Sequence, residues 1–161
     1  MLYSVSSIVF PSLNSSLDGI SIDIFFKGCK HLCPGCHNPE LQEFAPSTTH
    51  IDTIIKNLKT YEQKYSVITL MGGEPTDMSI IRLIHLLDTI RESFPDKRIS
   101  MYTVLPFDKV DAKVLERLDY IKCGFYDQNN RTPSGEFLSS KNQIMYKKVN
   151  GEWTIQYSYK D

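Results

Sequence analysis

The feature that most constrains the fold of this 161-residue chain is an alternation of strand and helix patterns. Apolar side chains occupy every second position from Ile20 to Phe26, which predicts a strand. Apolar residues then recur at helical spacing over 51–61, a short apolar run covers 66–71, and a second helical face covers 80–90. A strand–helix order of this kind predicts a parallel sheet with helices packed outside it.

The remaining segments continue this order and then depart from it. Residues 98–105 predict a third strand, residues near 108–118 a short helix, and residues 120–126 a fourth strand. Residues 127–140 have the composition of an exposed loop. Alternating residues on both sides of Asn150-Gly151 predict a β-hairpin at about 143–159.

The length of the chain limits the architecture that these elements can build. No repeat, linker or low-complexity tract divides the sequence, so a single domain over 1–161 is expected. A complete eight-unit barrel needs about 200 residues or more. The predicted fold is therefore α/β, a partial, open (β/α) barrel with parallel strands and a C-terminal β-hairpin.

Short polar residues indicate where the two longer helices begin. Thr49 and Asp52 have the spacing of a capping box, with aspartate in the usual glutamate position. Thr76 or Asp77 is expected to cap the second helix.

Composition excludes several classes of partner. The net charge of −1 gives no basic field for nucleic acid, and no apolar run approaches the roughly 20 residues that span a bilayer. The first residues carry no Lys or Arg ahead of their apolar positions, so they are a poor signal peptide and a cytoplasmic location is expected.

Four cysteines are too few for a disulfide scaffold, and clustered cysteines in such a chain more often bind metal or do redox chemistry.

Three of these cysteines lie close together in the segment GCKHLCPGCHNPE, a cluster loop over 28–38. Cys29, Cys33 and Cys36 have the spacing Cys-x₃-Cys-x₂-Cys. A [4Fe-4S] cluster usually takes four thiolates, so three would leave one iron open for chemistry. The glycines on either side of the ligands, Gly28 and Gly35, would allow the backbone to wrap closely around a bulky cluster.

A structural zinc site is the alternative for this loop. His31 or His37 would then supply the fourth ligand. Zinc sites usually pair their ligands across a longer span, so the compact spacing favours iron and sulfur.

A second motif, MGGEP, follows the second predicted strand. Gly72 and Gly73 can simply make a turn, but they also expose backbone polar groups, and Glu74 offers a carboxylate to an ammonium group. Ligands of parallel sheets bind at the carboxyl ends of the strands. We therefore expect this turn and the cluster loop to meet at one edge of the sheet, around the amino-acid end of a zwitterionic ligand.

With these motifs the chain resembles the radical S-adenosylmethionine superfamily, whose pattern joins Cys-x₃-Cys-x₂-Cys to a Gly-Gly-Glu-Pro-like turn. It is most similar to the activating proteins of anaerobic (class III) ribonucleotide reductase. The similarity includes the Cys29–Asn38 motif, the strands around Thr103 and Lys122, Asn142-Gln143 and the closing NGEW hairpin, and it covers most of the chain from Asp18 onward.

The resemblance implies a [4Fe-4S] cluster and S-adenosylmethionine as cofactors. In the family, the cofactor's amino and carboxylate groups chelate the open iron, and one electron splits it into methionine and a 5′-deoxyadenosyl radical. That radical takes a hydrogen atom from a glycine of a large partner, here anaerobic ribonucleotide reductase. The resemblance also implies an electron donor such as flavodoxin or ferredoxin. It implies neither a nucleic-acid partner nor a membrane partner.

The same resemblance assigns roles to individual residues. The catalytic iron ligands would be Cys29, Cys33 and Cys36. Flanking residues would line the adenosine side, namely Gly35, His37 and Asn38. The turn of Gly72, Gly73 and Glu74 would meet the methionine ammonium, and Thr103 and Lys122 are candidates for the carboxylate or the ribose.

Two alternative functions remain open on sequence grounds. One is a different small radical S-adenosylmethionine enzyme, such as an activase for a pyruvate formate-lyase-like partner. The other is a zinc-bound interaction module without catalysis.

Overall fold

The computed structural model describes residues 1–159, and the last two residues of the predicted domain, 160–161, lie outside the described part. Nine strands and three α-helices form the regular structure of this part, and short 3₁₀ turns connect several of them. The strands are β1 Leu2–Tyr3, β2 Val5–Ser12, β3 Ser21–Phe26, β4 Thr49–His50, β5 Val67–Gly72, β6 Arg98–Thr103, β7 Tyr120–Cys123, β8 Ile144–Val149 and β9 Glu152–Ser158. The helices are α1 Ile51–Thr60, α2 Ile80–Ser93 and α3 Ala112–Leu115.

One mixed sheet of seven strands, in the order β2-β3-β5-β6-β7-β8-β9, organises the molecule. The four central strands β3, β5, β6 and β7 are parallel, as the strand–helix alternation predicts. β2 pairs antiparallel with β3 at one edge, and the β8–β9 hairpin continues the sheet beyond β7 at the other. β1 and β4 form a separate two-stranded sheet. The chain therefore has a mixed α/β fold with a mostly sheet core.

The three helices pack on one face of this sheet. Alternate strand residues point toward them, and burial of each such side chain contributes about 1.5–3 kcal/mol. The fully buried strand residues of this core are Ile22, Ile24, Ile68, Leu70, Ile99, Met101 and Ile121. Ile54, Leu58, Leu83 and Leu87 meet them from α1 and α2. This packing leaves the carboxyl ends of the parallel strands free to carry the loops of a site.

The strand β2 is an element that the sequence patterns did not predict. Its residues Val5–Ser12 alternate only weakly between half-buried and exposed positions, because the strand lies at the sheet edge and has two register shifts against β3. An edge strand of this kind lacks the apolar period of a buried strand.

Both predicted helix caps were wrong by one to three residues. His50 caps α1, since its Nδ1 accepts a hydrogen bond from the Asp52 N–H at 3.1 Å. Ser79 caps α2 through the Arg82 N–H. Thr76 and Asp77 instead belong to the turn Pro75–Asp77, which precedes the helix.

The short helix predicted near 108–118 is interrupted. A 3₁₀ turn covers Phe107–Lys109 and α3 covers only Ala112–Leu115. Asp111 separates the two and caps α3 through the Lys113 N–H.

The segment 127–140 is more buried than its composition suggests. Leu138 is fully buried, and Thr132 and Ser140 are buried beside it. Phe137 packs on the sheet face opposite the helices, against a small cluster of Val67, Tyr120 and Met145. The segment therefore covers part of that face. The prediction of an exposed loop holds for residues 128–131 and 133–136, which are exposed, and fails at the three buried positions.

No helix within residues 1–159 combines the length and the apolar character needed to cross a bilayer.

Candidate metal centre

The three clustered cysteines line one cavity at the carboxyl edge of the parallel strands. Its volume is about 330 Å³, and the thiols of Cys29, Cys33 and Cys36 are each partly exposed. Seven other residues singled out in the sequence line the same cavity: His37, Asn38, Gly72, Gly73, Glu74, Thr103 and Lys122. Gly35 does not line it. The two motifs thus meet at one site, as expected from the placement of both after parallel strands.

Backbone hydrogen bonds hold the start of the cluster loop. The Gly28 N–H donates to the Leu41 carbonyl at 2.7 Å, and the Cys29 N–H donates to the Gln42 carbonyl at 3.0 Å. Gly28 has φ +105°, and a Cβ there would lie 2.6 Å from the Phe44 ring. Only glycine fits both the conformation and the close approach.

The loop then closes around the thiols. The Cys36 N–H donates to the Cys33 carbonyl at 3.1 Å, which makes a tight turn between the second and third ligands. Gly35 sits inside this turn with φ +72°, against the side chain of Gln128. Its function in this structure is to shape the turn, since its own atoms lie away from the cavity.

Opposing influences act on the first thiol. Burial raises the pKa of Cys29, and the carboxylates of Glu74 and Asp77 raise it further. The backbone N–H groups of His31 and Leu32 donate to its sulfur and lower the pKa. The net pKa lies above the ordinary thiol value, so a metal ion that bound this sulfur would have to displace its proton.

The Gly72–Glu74 turn docks directly on the base of the cluster loop. The Gly73 N–H donates to the Phe26 carbonyl and the Glu74 N–H to the Gly28 carbonyl, both at 2.8 Å. A Cβ at Gly73 would lie 2.4 Å from the Gly28 oxygen. The second glycine is therefore required for this backbone contact.

The Glu74 carboxylate is buried and joins its own turn to the end of β6. Its Oε2 accepts hydrogen bonds from the Thr76 N–H, the Thr76 hydroxyl and the Thr103 hydroxyl, at 3.2, 2.7 and 2.8 Å. Its Oε1 accepts one hydrogen bond among the described residues, from the Val104 N–H at 2.6 Å. Burial raises the pKa of Glu74, and these hydrogen bonds oppose the rise.

Lys122 is a buried cation inside this cavity. Its Nζ lies 3.8 Å from the centre of the Tyr102 ring, and the residue is 9% exposed. No hydrogen bond or ion pair joins this Nζ to any residue within 1–159. Burial lowers the pKa of Lys122 to about 8.

The histidines are placed differently from one another. The His37 ring packs on Tyr126 with 4.7 Å between ring centres and lines the cavity. His31 lies outside the cavity lining, with its Nε2 3.8 Å from an Asp77 oxygen, and braces the loop. Within residues 1–159, no three His, Cys, Asp or Glu side chains, the three clustered cysteines included, converge on a point that could hold a single metal ion.

The fourth cysteine, Cys123, is 4% exposed and belongs to the helix-facing core rather than the cavity. Three thiols on one cavity, with the fourth cysteine turned away, fit a [4Fe-4S] cluster that keeps one iron without a protein thiolate.

Sequence patterns did not identify several residues at this site. Tyr102, Tyr126, Ser139 and Gln143 all line the cavity. Tyr102 and Tyr126 could have been found from their positions at or just beyond predicted strand ends. Ser139 comes from the segment that was predicted to be an exposed loop. Gln143 begins the predicted hairpin and belongs to the Asn142-Gln143 match of the resemblance, but no role was assigned to it.

A three-thiol loop at the carboxyl edge of a parallel sheet defines an iron–sulfur protein of α/β fold. Comparison with known families agrees: the model of the 4Fe-4S single cluster domain matches residues 18–146. The chain belongs to this family.

Curated relatives carry the name expected from the sequence resemblance, which is thereby confirmed. The anaerobic ribonucleoside-triphosphate reductase-activating protein of Haemophilus influenzae is 29% identical over 138 residues, covering 81% of this chain and 89% of the relative. The protein of the same name from Escherichia coli is 29% identical over 136 residues, covering 80% and 88%. That of Enterobacteria phage T4 is 28% identical over 141 residues, covering 84% and 88%.

Among solved structures, QueE from Escherichia coli is similar in fold. The TM-score is 0.51 at 15% sequence identity, and the match covers 75% of this chain and 70% of QueE. At this identity the likeness concerns the fold alone.

Proposed function

We propose that this chain is an activating enzyme that generates a glycyl radical on an anaerobic ribonucleoside-triphosphate reductase. The observation that carries the proposal is the single cavity in which three partly exposed thiols face the Gly72–Glu74 turn, while Cys123 is excluded. The names of the curated relatives support the same activity.

In this proposal Cys29, Cys33 and Cys36 hold the cluster. When bound, the cluster supplies the electron that cleaves S-adenosylmethionine into methionine and the 5′-deoxyadenosyl radical. The chain's own residues bind and orient the cofactor and limit the access of water.

The turn after β5 would receive the methionine ammonium. Glu74 Oε2 is already occupied by three donors, whereas Oε1 accepts one and retains acceptor capacity. Glu74 would thus act both as an acceptor for the ammonium and as the group that joins the turn to Thr103 and Val104 at the end of β6. Thr103 contributes through Glu74, since its hydroxyl donates to that carboxylate.

Lys122 would bind the carboxylate of S-adenosylmethionine. A buried ammonium without an anionic partner is costly, and the contact with the Tyr102 ring offsets only part of that cost. A carboxylate entering the cavity would supply the missing charge. The ring of His37 and the side chain of Asn38 line the cavity beyond the third thiol and would contact the adenosine, and Gly35 shapes the turn that carries them.

The sheet has two edges, β2 and β9, and we propose that it forms a partial, open barrel. An open side would admit a segment of a protein substrate, whereas a small molecule would need a more enclosed pocket. The glycine-bearing segment of the reductase is the substrate proposed here, with flavodoxin or ferredoxin as the class of electron donor and the cytoplasm as the location.

The test combines anaerobic reconstitution with assay of both products. We expect the protein with S-adenosylmethionine, a reductant and the reductase of the same organism to yield 5′-deoxyadenosine and a glycyl radical by electron paramagnetic resonance. Cys33→Ala should lose the cluster absorption and both products, because one of three thiolates is missing. Cys123→Ala is the matched control and should retain them.

Two outcomes would contradict the proposal. A protein that keeps its cluster but forms no 5′-deoxyadenosine would not be a radical enzyme. A protein that cleaves S-adenosylmethionine but transfers the radical to a pyruvate formate-lyase-like partner, and not to the reductase, would be an activase of another kind.

A further inference from the structure

The turn that follows Glu74 makes a contact with the cluster loop that neither motif explains. Asp77 closes this turn, and its N–H donates to the Glu74 carbonyl at 2.9 Å. Its side chain is only 11% exposed and points to the loop: Oδ2 accepts a hydrogen bond from the Lys30 N–H at 2.8 Å, and Oδ1 lies 3.8 Å from His31 Nε2. The partners are 47 residues apart in the chain.

The hydrogen bond to Asp77 lies at the start of a tight part of the loop. The Lys30 N–H donates to Asp77 Oδ2, and Lys30 directly follows Cys29. Leu32, two residues further on, has φ +47°, a conformation that is uncommon for a residue with a side chain. The bond to Asp77 fixes the peptide that precedes this strained turn.

The Asp77 side chain does not cap the helix that follows it. Ser79, not Asp77, caps α2. The carboxylate accepts a hydrogen bond from the N–H of the residue that follows Cys29, so its negative charge lies beside the first ligand. Mutation of a residue that orients a metal ligand, without itself binding the metal, usually lowers metal affinity by 10–100-fold.

We propose that Asp77 is a positioning residue for the iron–sulfur cluster: it holds the Lys30 peptide so that the loop presents Cys29, and its charge lowers the cluster's reduction potential. This role depends on the cluster itself and not on the identity of the reductase. Its measurements need neither S-adenosylmethionine nor a partner protein, so failure of this proposal is distinguishable from failure of the proposed function.

The test compares Asp77→Ala with Asp77→Asn in the reconstituted holoprotein. Alanine removes the acceptor and the charge, whereas asparagine keeps an acceptor oxygen and removes the charge. Iron release to a chelator and the midpoint potential of the cluster are measured for both. Asp52→Ala is the matched control, because Asp52 is an 88% exposed carboxylate on α1.

We expect Asp77→Ala to release iron about 10-fold faster than the parent. Asp77→Asn should release iron at close to the parent rate, with a more positive potential, because loss of a nearby negative charge favours the reduced cluster. If Asp77→Asn releases iron as fast as Asp77→Ala, the result also supports the proposal. It would show that Asp77 positions the loop through a hydrogen bond that needs a charged acceptor.

Parent-like release and potential in Asp77→Ala would overturn the proposal, as would equal changes in Asp52→Ala. Circular dichroism of the cluster-free variants checks that each is folded. Should the alanine variant not fold, the potential of Asp77→Asn decides, and a value equal to that of the parent overturns the proposal.

Discussion

At the scale of single residues, Lys122 shows that a buried charge in the cavity can destabilise the folded protein. Its ammonium is buried against Tyr102 with no carboxylate partner among residues 1–159, and burial lowers its pKa to about 8. The lowered pKa corresponds to about 3 kcal/mol of unfavourable free energy when the folded protein carries the charge. Below pH 8 the folded chain carries that charge, so the cost is present at neutral pH.

Replacing Lys122 with methionine should therefore stabilise the cluster-free protein. Methionine keeps the apolar stem without the charge, and we expect the free energy of unfolding at pH 7 to rise by about 1–3 kcal/mol. The same variant should bind S-adenosylmethionine at least 10-fold more weakly in the cluster-loaded form. Urea unfolding and calorimetric titration measure the two effects.

Lys148→Met provides the control for this substitution. Lys148 Nζ donates to the Leu115 carbonyl and Lys148 does not line the cavity, so its loss should leave ligand affinity unchanged. A Lys122→Met protein that is less stable and binds the cofactor normally would show that the lysine is structural.

At the scale of elements, two glycines connect the end of β5 to the end of β3. Gly72 has φ +106°, and a Cβ there would lie 2.6 Å from the backbone of Phe26. Gly73 makes the equivalent contact with Gly28. The sequence motif is thus a packing requirement between two strand ends as well as a ligand-facing turn.

We expect Gly73→Ala to lower cluster content. The new methyl group would lie 2.4 Å from the Gly28 oxygen, and neither backbone segment can move without breaking its hydrogen bonds. The cost should be about 1–3 kcal/mol in the free energy of unfolding. Iron per chain after reconstitution and the urea midpoint are the measurements.

Gly135→Ala separates the packing effect from the general effect of adding a side chain. Nothing lies within 4 Å of a Cβ at Gly135, so this variant should retain full cluster content even though its φ of +92° is unfavourable for alanine. Equal cluster content in both variants would argue against the tight contact at Gly73.

At the scale of the whole molecule, Asp18 joins segments that are distant in the chain. Its Oδ2 accepts hydrogen bonds from the Tyr120 hydroxyl at 2.5 Å, Lys147 Nζ at 2.8 Å and Gln156 Nε2 at 3.1 Å. The segment before β3 is thereby tied to β7, β8 and β9. Burial raises the pKa of Asp18, but the hydrogen bonds from Lys147 and Tyr120 outweigh it, and the net pKa is lowered.

Asp18→Asn should destabilise the protein in a pH-dependent way. Because the folded pKa is below the unfolded value, the carboxylate contributes stability that is complete above about pH 4 and is lost as the pH falls through the folded pKa. We expect the variant to be less stable by about 1 kcal/mol at pH 7, because these hydrogen bonds are partly exposed to solvent, and the difference to shrink below pH 4. Urea unfolding at several pH values measures it.

Asp96→Asn serves as the comparison, since Asp96 is a 72% exposed carboxylate near the turn between α2 and β6. It should change stability little at any pH. A gap for Asp18→Asn that is constant with pH would show that the carboxylate is not the source of the effect.

Much of the cluster loop and of the parallel sheet could be predicted because both follow from local patterns. The spacing of Cys29, Cys33 and Cys36 lies within eight residues, and the apolar period of β3 and β5 depends only on near neighbours. The edge strand β2 and the buried segment around Phe137 were missed, since neither has such a period. The helix caps were misassigned because several adjacent residues could each cap.

What the sequence alone determined is the three-cysteine motif and the strand–helix order, since a motif and a periodicity are properties of consecutive residues. Only the tertiary structure decided which polar groups form hydrogen bonds between distant parts of the chain. Glu74 reaches Val104 across 30 residues, Asp77 reaches Lys30 across 47, and Asp18 reaches Lys147 across 129. Such pairs form because folding brings their donors and acceptors within about 3 Å, the range of a hydrogen bond. The positions of two residues in the sequence do not indicate whether folding will bring them together.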